Sequence, residues 1–290
     1  MFSAQDVKSL REKTGAGMMD CKKALEENNG DMEKAIVWLR EKGISKAEKK
    51  SSRIAAEGLA NIFIKDNKAI ILEVNSETDF VAKNAVFVDF VKSLGNSLLA
   101  SDAKTMDEAM DVLVDGEKVS DALISITSKI GEKISFRRFD VVNKNTNEVF
   151  GDYIHMGGKI AVLTVLEGND VNIAKDVAMH VCAMKPIYLT SAMVPQEVLD
   201  SERAIYKEQA INEGKKEEIA VKMVEGRLKK YFKEVCLDEQ PFVKDADISV
   251  GTYVKNNNSK VISVIRYEVG EGMEKRCDNF AEEVKNQING

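Results

Sequence analysis

Two copies of one pattern, a pair of strands followed by a polar connection and a helix, constrain the fold of this chain more than any other feature. In the first copy, the β-like residues 62–64 and 69–74 flank a turn signal at 66–68. Apolar residues then recur at helical spacing over 85–99, which predicts an amphipathic helix with one buried face.

The second copy begins about 90 residues later along the chain. Residues 153–155 and 159–165 flank a glycine-containing turn at 156–158, and residues 173–176 repeat the pattern of 81–84 before another helix. A duplicated hairpin and helix predicts two related α/β subdomains with antiparallel sheets, and therefore an α+β fold.

The segment before the first copy has a helical pattern. Three short amphipathic stretches precede residue 45, and Asp31 is placed to cap the third, with Ile36, Val37 and Leu39 on its apolar side. Residues 46–53 are basic and polar and contain almost no large apolar side chain. This composition favours an exposed linker over a phosphate-contacting patch.

Glutamate and lysine are dense over 195–235, where apolar residues are widely spaced and 212–214 interrupts the run. The pattern predicts two antiparallel helices that pack along one narrow seam and are inserted in the second subdomain. The apolar residues available for that seam are Val198, Ile205, Ile211, Ile219, Met223, Leu228 and Phe232. A last helix is predicted over 274–288.

These patterns divide the chain into six consecutive segments. With 290 residues, the chain is long enough for more than one domain. We assign the segments as 1–53, a three-helix domain with its linker; 54–140, the first core subdomain; 141–185, the first part of the second core subdomain; 186–235, the helical hairpin; 236–270, the rest of the second core subdomain; and 271–290, a C-terminal helical module.

Composition and charge narrow the classes of function. Hydrophobic residues make up 44% of the chain and charged residues 31%, a balance typical of a soluble folded protein. The net charge of -6 disfavours direct nucleic-acid binding. No apolar run is long enough to span a membrane, and the first residues lack the regions of a signal peptide. The four scattered cysteines favour reduced thiols and a cytoplasmic protein.

The sequence does not group residues in the patterns that catalysis or metal binding needs. The two histidines, His155 and His180, have no cysteine or carboxylate at ligand spacing, which disfavours a metal site. Residues 157–159 are superficially similar to a phosphate loop, but Tyr153 stands where the first glycine is needed and Ile160 where Ser or Thr is needed. The residues therefore favour a binding protein over an enzyme.

The run 73–83 places a large apolar ring, Phe80, among polar residues between a buried strand and a helix. From the residues alone, Thr78 or Asp79 is interpreted as a helix cap and Phe80 as a core residue. The alternative is that the ring is displayed for a partner. Carboxylates cluster in this run, but nothing else in it suggests acid–base chemistry.

The same run resembles the signature of the elongation factor Ts family, the nucleotide exchange factors for elongation factor Tu. The resemblance implies an N-terminal ubiquitin-associated-like three-helix domain, a core of two related subdomains, an inserted antiparallel coiled-coil hairpin and a C-terminal helical module. It extends nearly end to end, through 10–25, 129–132, 222–227, 240–243 and 266–272.

The resemblance also implies a cytoplasmic protein without a cofactor that acts in translation elongation. Such a protein binds the GDP and nucleotide-free forms of elongation factor Tu and promotes GDP release, so that GTP can bind. It has no catalytic residues of its own, because the chemistry belongs to the GTPase.

Residues for contact with elongation factor Tu follow from the resemblance. Dislocation of Mg²⁺ from the partner is assigned to Thr78, Asp79, Phe80 and Val81, with the Phe80 ring wedged into the nucleotide-binding domain. Lys244 stands where the family has methionine, which is a departure beside one of the contacts. The other partner-binding residues are Arg11, Met18, Met19, Lys22, Ile130, Gly131, Glu132, His155 and Val243.

Several alternatives stay open at the level of sequence. Met18 and Met19 are core-filling residues by default, and Gly131 is a helix C-terminus in the left-handed conformation. The family's hairpin dimerises in some members and only contacts the partner in others, so a homodimer or a heterotetramer through the hairpin stays open. A scaffold without exchange activity is the alternative function, and neither membrane association nor direct nucleic-acid binding is expected.

Overall fold

The structure is a computed structural model that describes residues 2–14 and 16–274, apart from the side chains of 44–46. The chain folds into two units. Among the described residues, the first unit contains those up to Val142, the short segment Met156–Ile160 and those from Tyr267 to Glu274. The second unit contains Asn143–His155 and Ala161–Arg266. The helix predicted over 274–288, and with it most of the module assigned to 271–290, lies outside the described residues.

Three helices open the first unit: α1 (Ala4–Thr14), α2 (Met18–Glu27) and α3 (Met32–Glu48). The Asp31 carboxylate accepts a 3.0 Å hydrogen bond from the Lys34 N–H, as expected of a residue that caps α3. Their small core contains Leu10, Cys21 and Leu25, with Trp38 against it. Two expectations were wrong, because Val37 is exposed and α3 continues through Glu48 into the segment expected to be linker.

The rest of the first unit is a sheet covered by helices. Its elements in chain order are β1 (Glu57–Lys65), β2 (Lys68–Ser76), α4 (Asp79–Ala82), α5 (Ala85–Ala100), α6 (Met106–Met110), β3 (Leu113–Val114), β4 (Glu117–Lys118), α7 (Val119–Ile130) and β5 (Ser135–Asn143). The strands β1 and β2 are antiparallel, with Ile62 opposite Ile71, and the sheet order is β1-β2-β5. A small antiparallel hairpin, β3 with β4, lies outside this sheet.

The hydrophobic core of this part forms between β2 and the buried face of α5. Alternate β2 residues, including Ile70 and Leu72, share one buried cluster with Phe87 and Leu94 of α5. Every β2 residue from Ala69 to Ser76 is buried, including three polar ones. Because β2 is the central strand of its sheet, its C-terminal end is a rigid base for the residues that follow.

The second unit repeats the strand, strand and helix order. Its elements are β6 (Glu148–His155), β7 (Ile160–Glu167), α8 (Val171–Met184), α9 (Gln196–Asn212), α10 (Glu217–Val235), β8 (Pro241–Phe242), β9 (Asp245–Ser249), α11 (Val250–Asn256) and β10 (Lys260–Glu268). The sheet has the order β10-β7-β6, with α8 against β6. The Thr164 hydroxyl donates a 2.9 Å hydrogen bond to the Ala174 carbonyl, where the absence of a Cβ at Gly151 permits close approach of strand and helix.

The helices α9 and α10 lie against each other across the turn at Gly214. Ion pairs join them at Lys207–Glu217 and Arg227–Glu213, both 2.7 Å long. The expected seam was wrong at Ile205, Ile211 and Ile219, which are exposed, but Leu228 is buried as expected. The buried residues are Ala210 on α9 and Ala220, Val224 and Leu228 on α10.

The prediction of an α+β fold with antiparallel strand pairs is confirmed. Within the part of the chain that the structure describes, no helix combines the length and the apolar character needed to cross a lipid bilayer.

Candidate functional site

The Phe80 ring projects from the short helix α4, directly after the buried strand β2. It is 82% exposed, more than any other large apolar side chain among the described residues. Its neighbours Val81 and Ala82 are buried in the core of the first unit. The interpretation of Phe80 as a core residue was therefore wrong: the helix directs its next two side chains inward and this ring outward.

Thr78 is the N-cap of α4, and its side chain has two roles. Its hydroxyl oxygen accepts a 3.4 Å hydrogen bond from the Val81 N–H, which caps the helix. The same hydroxyl donates to Glu132 Oε1 at 2.7 Å, and the Thr78 backbone N–H donates to Glu132 Oε2 at 3.0 Å. Both oxygens of one carboxylate thus hold the residue from which α4 begins.

A second carboxylate, that of Glu77, connects the same loop to residues 53 and 133. Its Oε1 accepts the Lys133 N–H at 2.6 Å and a hydrogen bond from the Arg53 guanidinium at 3.2 Å. The Lys133 ammonium in turn donates to the carbonyl oxygens of Ser51 and Arg53 at 2.6 Å and 3.0 Å. The basic end of the expected linker is thereby attached to the loop that carries Phe80.

The other carboxylates near Phe80 are also occupied. Asp79 accepts a 2.8 Å hydrogen bond from Lys83, one turn later, and this bond holds the pKa of the Asp79 carboxyl below its usual value. Glu73 is fully buried and pairs with Arg137 at 2.9 Å and Arg138 at 2.6 Å. Because each carboxylate has a structural partner, this cluster has the features of a scaffold for the ring and not of an acid–base pair.

Gly131 lies where α7 ends and the chain turns toward Thr78. It has a φ of 90°, which a residue with a side chain rarely adopts, and its N–H donates to the Thr127 carbonyl at 3.0 Å. Ile130 packs against the core of the first unit. The left-handed turn brings Glu132 back to the Thr78 cap, so the structure joins two segments that the sequence separates.

The N-terminal residues assigned from the resemblance form a separate group on α1 and α2. Met18 is 48% and Met19 74% exposed at the start of α2, so neither fills the core. Arg11 on α1 and Lys22 on α2 are exposed as well, and Lys22 pairs with Glu26 at 3.7 Å. All four side chains are therefore accessible to solvent.

His155 and Val243 belong to the second unit. His155 ends β6 and stacks on Tyr153, with ring centroids 5.9 Å apart. Val243 is 42% exposed and follows the two-residue strand β8. Beside it, the Lys244 ammonium pairs with Asp176 at 2.5 Å, so the residue that departs from the family has an ionic partner within its own unit.

Sequence reasoning missed the buried pair that supports Val243. The Val243 N–H donates to His180 Nδ1 at 3.3 Å, so His180 Nε2 carries the proton and donates to Gln240 Oε1 at 2.9 Å. Burial lowers the pKa of His180, against the smaller effect of the Gln240 hydrogen bond. The only signal in the sequence was the position of Gln240 at the start of the 240–243 motif.

A cleft of about 690 Å³ lies away from Phe80, between the N-terminal helices and α5 with α7, and the 2.7 Å pair of Arg40 with Asp121 lies in it. None of the assigned partner-binding residues lines it. Among the described residues there is also no cluster of three or more His, Cys, Asp or Glu side chains that could hold a metal ion.

Comparison with known families gives a match that bears on these features. The sequence matches the family described as Elongation factor TS over residues 77–271, which begins at the Phe80 loop and ends after β10. Because the match covers more than half of the chain, the protein belongs to the elongation factor Ts family, whose members are nucleotide exchange factors for elongation factor Tu in translation elongation.

Proposed function

We propose that this protein accelerates GDP release from elongation factor Tu by inserting the Phe80 ring into the nucleotide-binding domain of the partner. The observation that supports this most directly is the ring itself, 82% exposed on a loop held by two carboxylates. An exposed phenylalanine on a flexible loop would lose conformational entropy on binding. A ring on a rigid base contributes its apolar area at little such cost.

Burial of the ring alone supplies too little free energy for exchange. To weaken GDP binding a thousandfold, the coupling free energy between GDP and the exchange factor, both bound to the GTPase, must be about 4 kcal/mol. Burial of one phenylalanine contributes about 2 to 3 kcal/mol, and part of that holds the complex together. We therefore infer that insertion also dislocates Mg²⁺, which neutralises the phosphates of the bound nucleotide. GTP then binds and displaces the exchange factor.

The neighbouring residues have supporting roles in this proposal. Asp79 offers a carboxylate acceptor at the same helix terminus, while Thr78 and Val81 hold the helix. The segment of Ile130, Gly131 and Glu132 forms a second contact region beside the ring, and within it the Glu132 carboxylate is bonded to Thr78. Further contacts with the partner come from Arg11, Met18, Met19 and Lys22 in the first unit, and from His155 and Val243 in the second.

The remaining features of the proposal follow from the family. The protein acts in the cytoplasm as an exchange factor and not as an enzyme, without a cofactor, and binds neither membrane nor nucleic acid. The three N-terminal helices form the ubiquitin-associated-like domain. Any homodimer or heterotetramer forms through the coiled-coil hairpin α9–α10, where Ile205, Ile211 and Ile219 are exposed.

Stopped-flow release of a fluorescent GDP analogue from elongation factor Tu tests the proposal. We expect Phe80→Ala to reduce the maximal stimulated rate by about tenfold or more, with a smaller effect on the protein concentration that gives half of that rate. Phe80→Leu keeps part of the apolar area, so its maximal rate should lie between those of Phe80→Ala and the unmodified protein. Binding without any acceleration by the unmodified protein would instead favour a scaffold, and full activity of Phe80→Ala would exclude the wedge.

A further inference from the structure

We propose that Glu132 is a positioning residue for exchange: its carboxylate holds Thr78 and thereby fixes the direction in which the Phe80 ring leaves α4. This inference rests on the proposed function, and it gives Glu132 a role through its own chain in place of direct contact with the partner. It follows from the geometry of the two segments that meet at Thr78.

The helix α4 cannot fix the ring by itself. It spans only Asp79–Ala82, a single turn, and one isolated turn of helix is unstable because nucleation costs more than its hydrogen bonds return. Burial of Val81 and Ala82 holds the inner side of the turn. The start of the turn, which sets the direction of Phe80, needs a separate restraint.

Glu132 supplies that restraint through both carboxylate oxygens. Oε1 accepts the Thr78 hydroxyl at 2.7 Å, and Oε2 accepts the Thr78 N–H at 3.0 Å. Hydrogen bonds to an ionised acceptor are about twice as strong as neutral ones. With its proton directed to Glu132, the hydroxyl presents its lone pairs to the Val81 N–H, so the carboxylate also orients the helix cap.

Glu132 is itself held in place by its neighbours in the chain. The left-handed Gly131 ends α7, and Lys133 donates its N–H to Glu77 at 2.6 Å. Two consecutive residues of one segment, 132 and 133, therefore bind two consecutive residues of the other, 78 and 77. This reciprocal arrangement resists both sliding and rotation of the Phe80 loop.

The second unit provides an internal comparison. There the N-cap is Asp170, whose carboxylate accepts the Asn172 N–H at 2.8 Å within its own turn. The helix that it caps, α8, has 14 residues and a buried face, so it is stable without an external restraint. Two residues after the N-cap stands Asn172 in this copy and Phe80 in the first. Of these two described copies, only the first, which has the exposed ring, has its N-cap bonded to a carboxylate distant in the sequence, that of Glu132.

The test combines stimulated release with amide hydrogen exchange in the free protein. Glu132→Gln replaces one acceptor oxygen by a donor, so one of the two bonds to Thr78 is lost. We expect the maximal stimulated release rate to fall by about fivefold to tenfold, with the half-saturating concentration nearly unchanged. Thr78→Val should act similarly, whereas Thr78→Ser retains the hydroxyl and should restore the rate.

A double variant separates positioning from direct contact. If Glu132 acts through the ring, Glu132→Gln with Phe80→Ala should be no slower than Phe80→Ala alone, within about twofold. The Thr78 and Val81 amides, followed by NMR in the absence of any partner, should exchange about tenfold faster in Glu132→Gln and Thr78→Val than in the unmodified protein. Glu41→Gln, a matched change on the exposed side of α3, should alter neither measurement.

Two outcomes would overturn the inference. Additive losses in the double variant would mean that Glu132 contacts the partner directly. Unchanged exchange of the Thr78 and Val81 amides in Glu132→Gln would mean that it does not order α4. If Phe80→Ala itself left GDP release unchanged, the wedge would fail as a function, and the amide measurement would still decide whether Glu132 orders the helix.

Discussion

Arg138 donates a 2.6 Å hydrogen bond through Nε to Glu73, whose carboxylate is completely buried in the central strand β2. Arg137 donates to the same carboxylate at 2.9 Å, and the Gly270 N–H does so at 2.8 Å. The Arg138 guanidinium lies over the Tyr267 ring, 4.0 Å from its centroid. This buried network joins β2, β5 and the segment after β10 at the base of the Phe80 loop.

Substitution of Glu73 should therefore destabilise the first unit. Glu73→Gln keeps the shape but leaves two partly buried arginines without their counterion, and we expect a loss of about 2 to 3 kcal/mol in the free energy of unfolding. Urea denaturation followed by circular dichroism measures this loss. Asp79→Asn, which alters a carboxylate of the Phe80 loop whose partner Lys83 is exposed, is the matched control and should lose much less stability than Glu73→Gln.

The acid stability of the protein gives an independent measure of the same network. Burial alone would raise the pKa of Glu73, but hydrogen bonds from Gly270, Arg137, Asn75 and Arg138 outweigh it, so the pKa lies below its usual value. The stabilisation is therefore complete above the unfolded-state pKa of about 4.3 and is lost as the pH falls below it. An equal acid dependence in Glu73→Gln and the unmodified protein would contradict this assignment.

A glycine is favoured at position 131 by the backbone conformation there, and not by a lack of room for a side chain. Its φ is 90°, and a Cβ built on it would meet no atom within 4 Å. We expect Gly131→Ala to lower the free energy of unfolding by about 1 kcal/mol through strain alone. Gly131→Asn should cost less, because asparagine tolerates the left-handed region better than alanine does. Equal losses in thermal denaturation for the two variants would point to a steric cause that the structure does not contain.

Much of the fold could be predicted from the sequence because local patterns determine it. The hairpin of β1 and β2 and the helices α5 and α8 follow from strand and helix periodicity, which requires only neighbouring residues. The two-residue strands β3, β4 and β8 and the five-residue strand β9 were not predicted. A strand of two residues carries too little periodicity to be recognised, and β9 pairs with the two-residue strand β8, so its pairing depends on the elements around it.

The candidate site could be predicted only in part, for a physical reason. The similarity between residues 81–84 and 173–176 suggested equivalent helices. In the structure, the first copy has two helices, α4 and α5, where the second has the single helix α8. Exposure of Phe80 depends on that division and on Glu132, which lies far along the chain. No local pattern encodes an interaction of that kind, so periodicity favoured a buried ring.

His180 should make the stability of the second unit depend on pH below neutrality. Burial lowers its pKa in the folded state, so the unfolded chain takes up a proton first as the pH falls. Stability is then constant above the unfolded-state pKa of about 6.5 and decreases below it. Urea midpoints at several pH values between about 5 and 8 measure this slope. His180→Asn should be less stable at pH 8 but should lose the slope between about 6.5 and 5.5, and a retained slope would exclude His180 as its source.

The hairpin offers a test in which adjacent residues should behave oppositely. Ala220 is fully buried between α9 and α10, whereas Ile219 is 49% exposed. Ala220→Leu adds volume where the two helices approach closely, and we expect it to cost about 1 to 3 kcal/mol in stability. Ile219→Ser removes an exposed apolar side chain and should change stability by less than about 0.5 kcal/mol. Circular dichroism of the helices during urea denaturation measures the loss of stability in each variant. A larger loss in Ile219→Ser than in Ala220→Leu would indicate that Ile219 lies in the helix–helix seam, as its spacing in the sequence predicted.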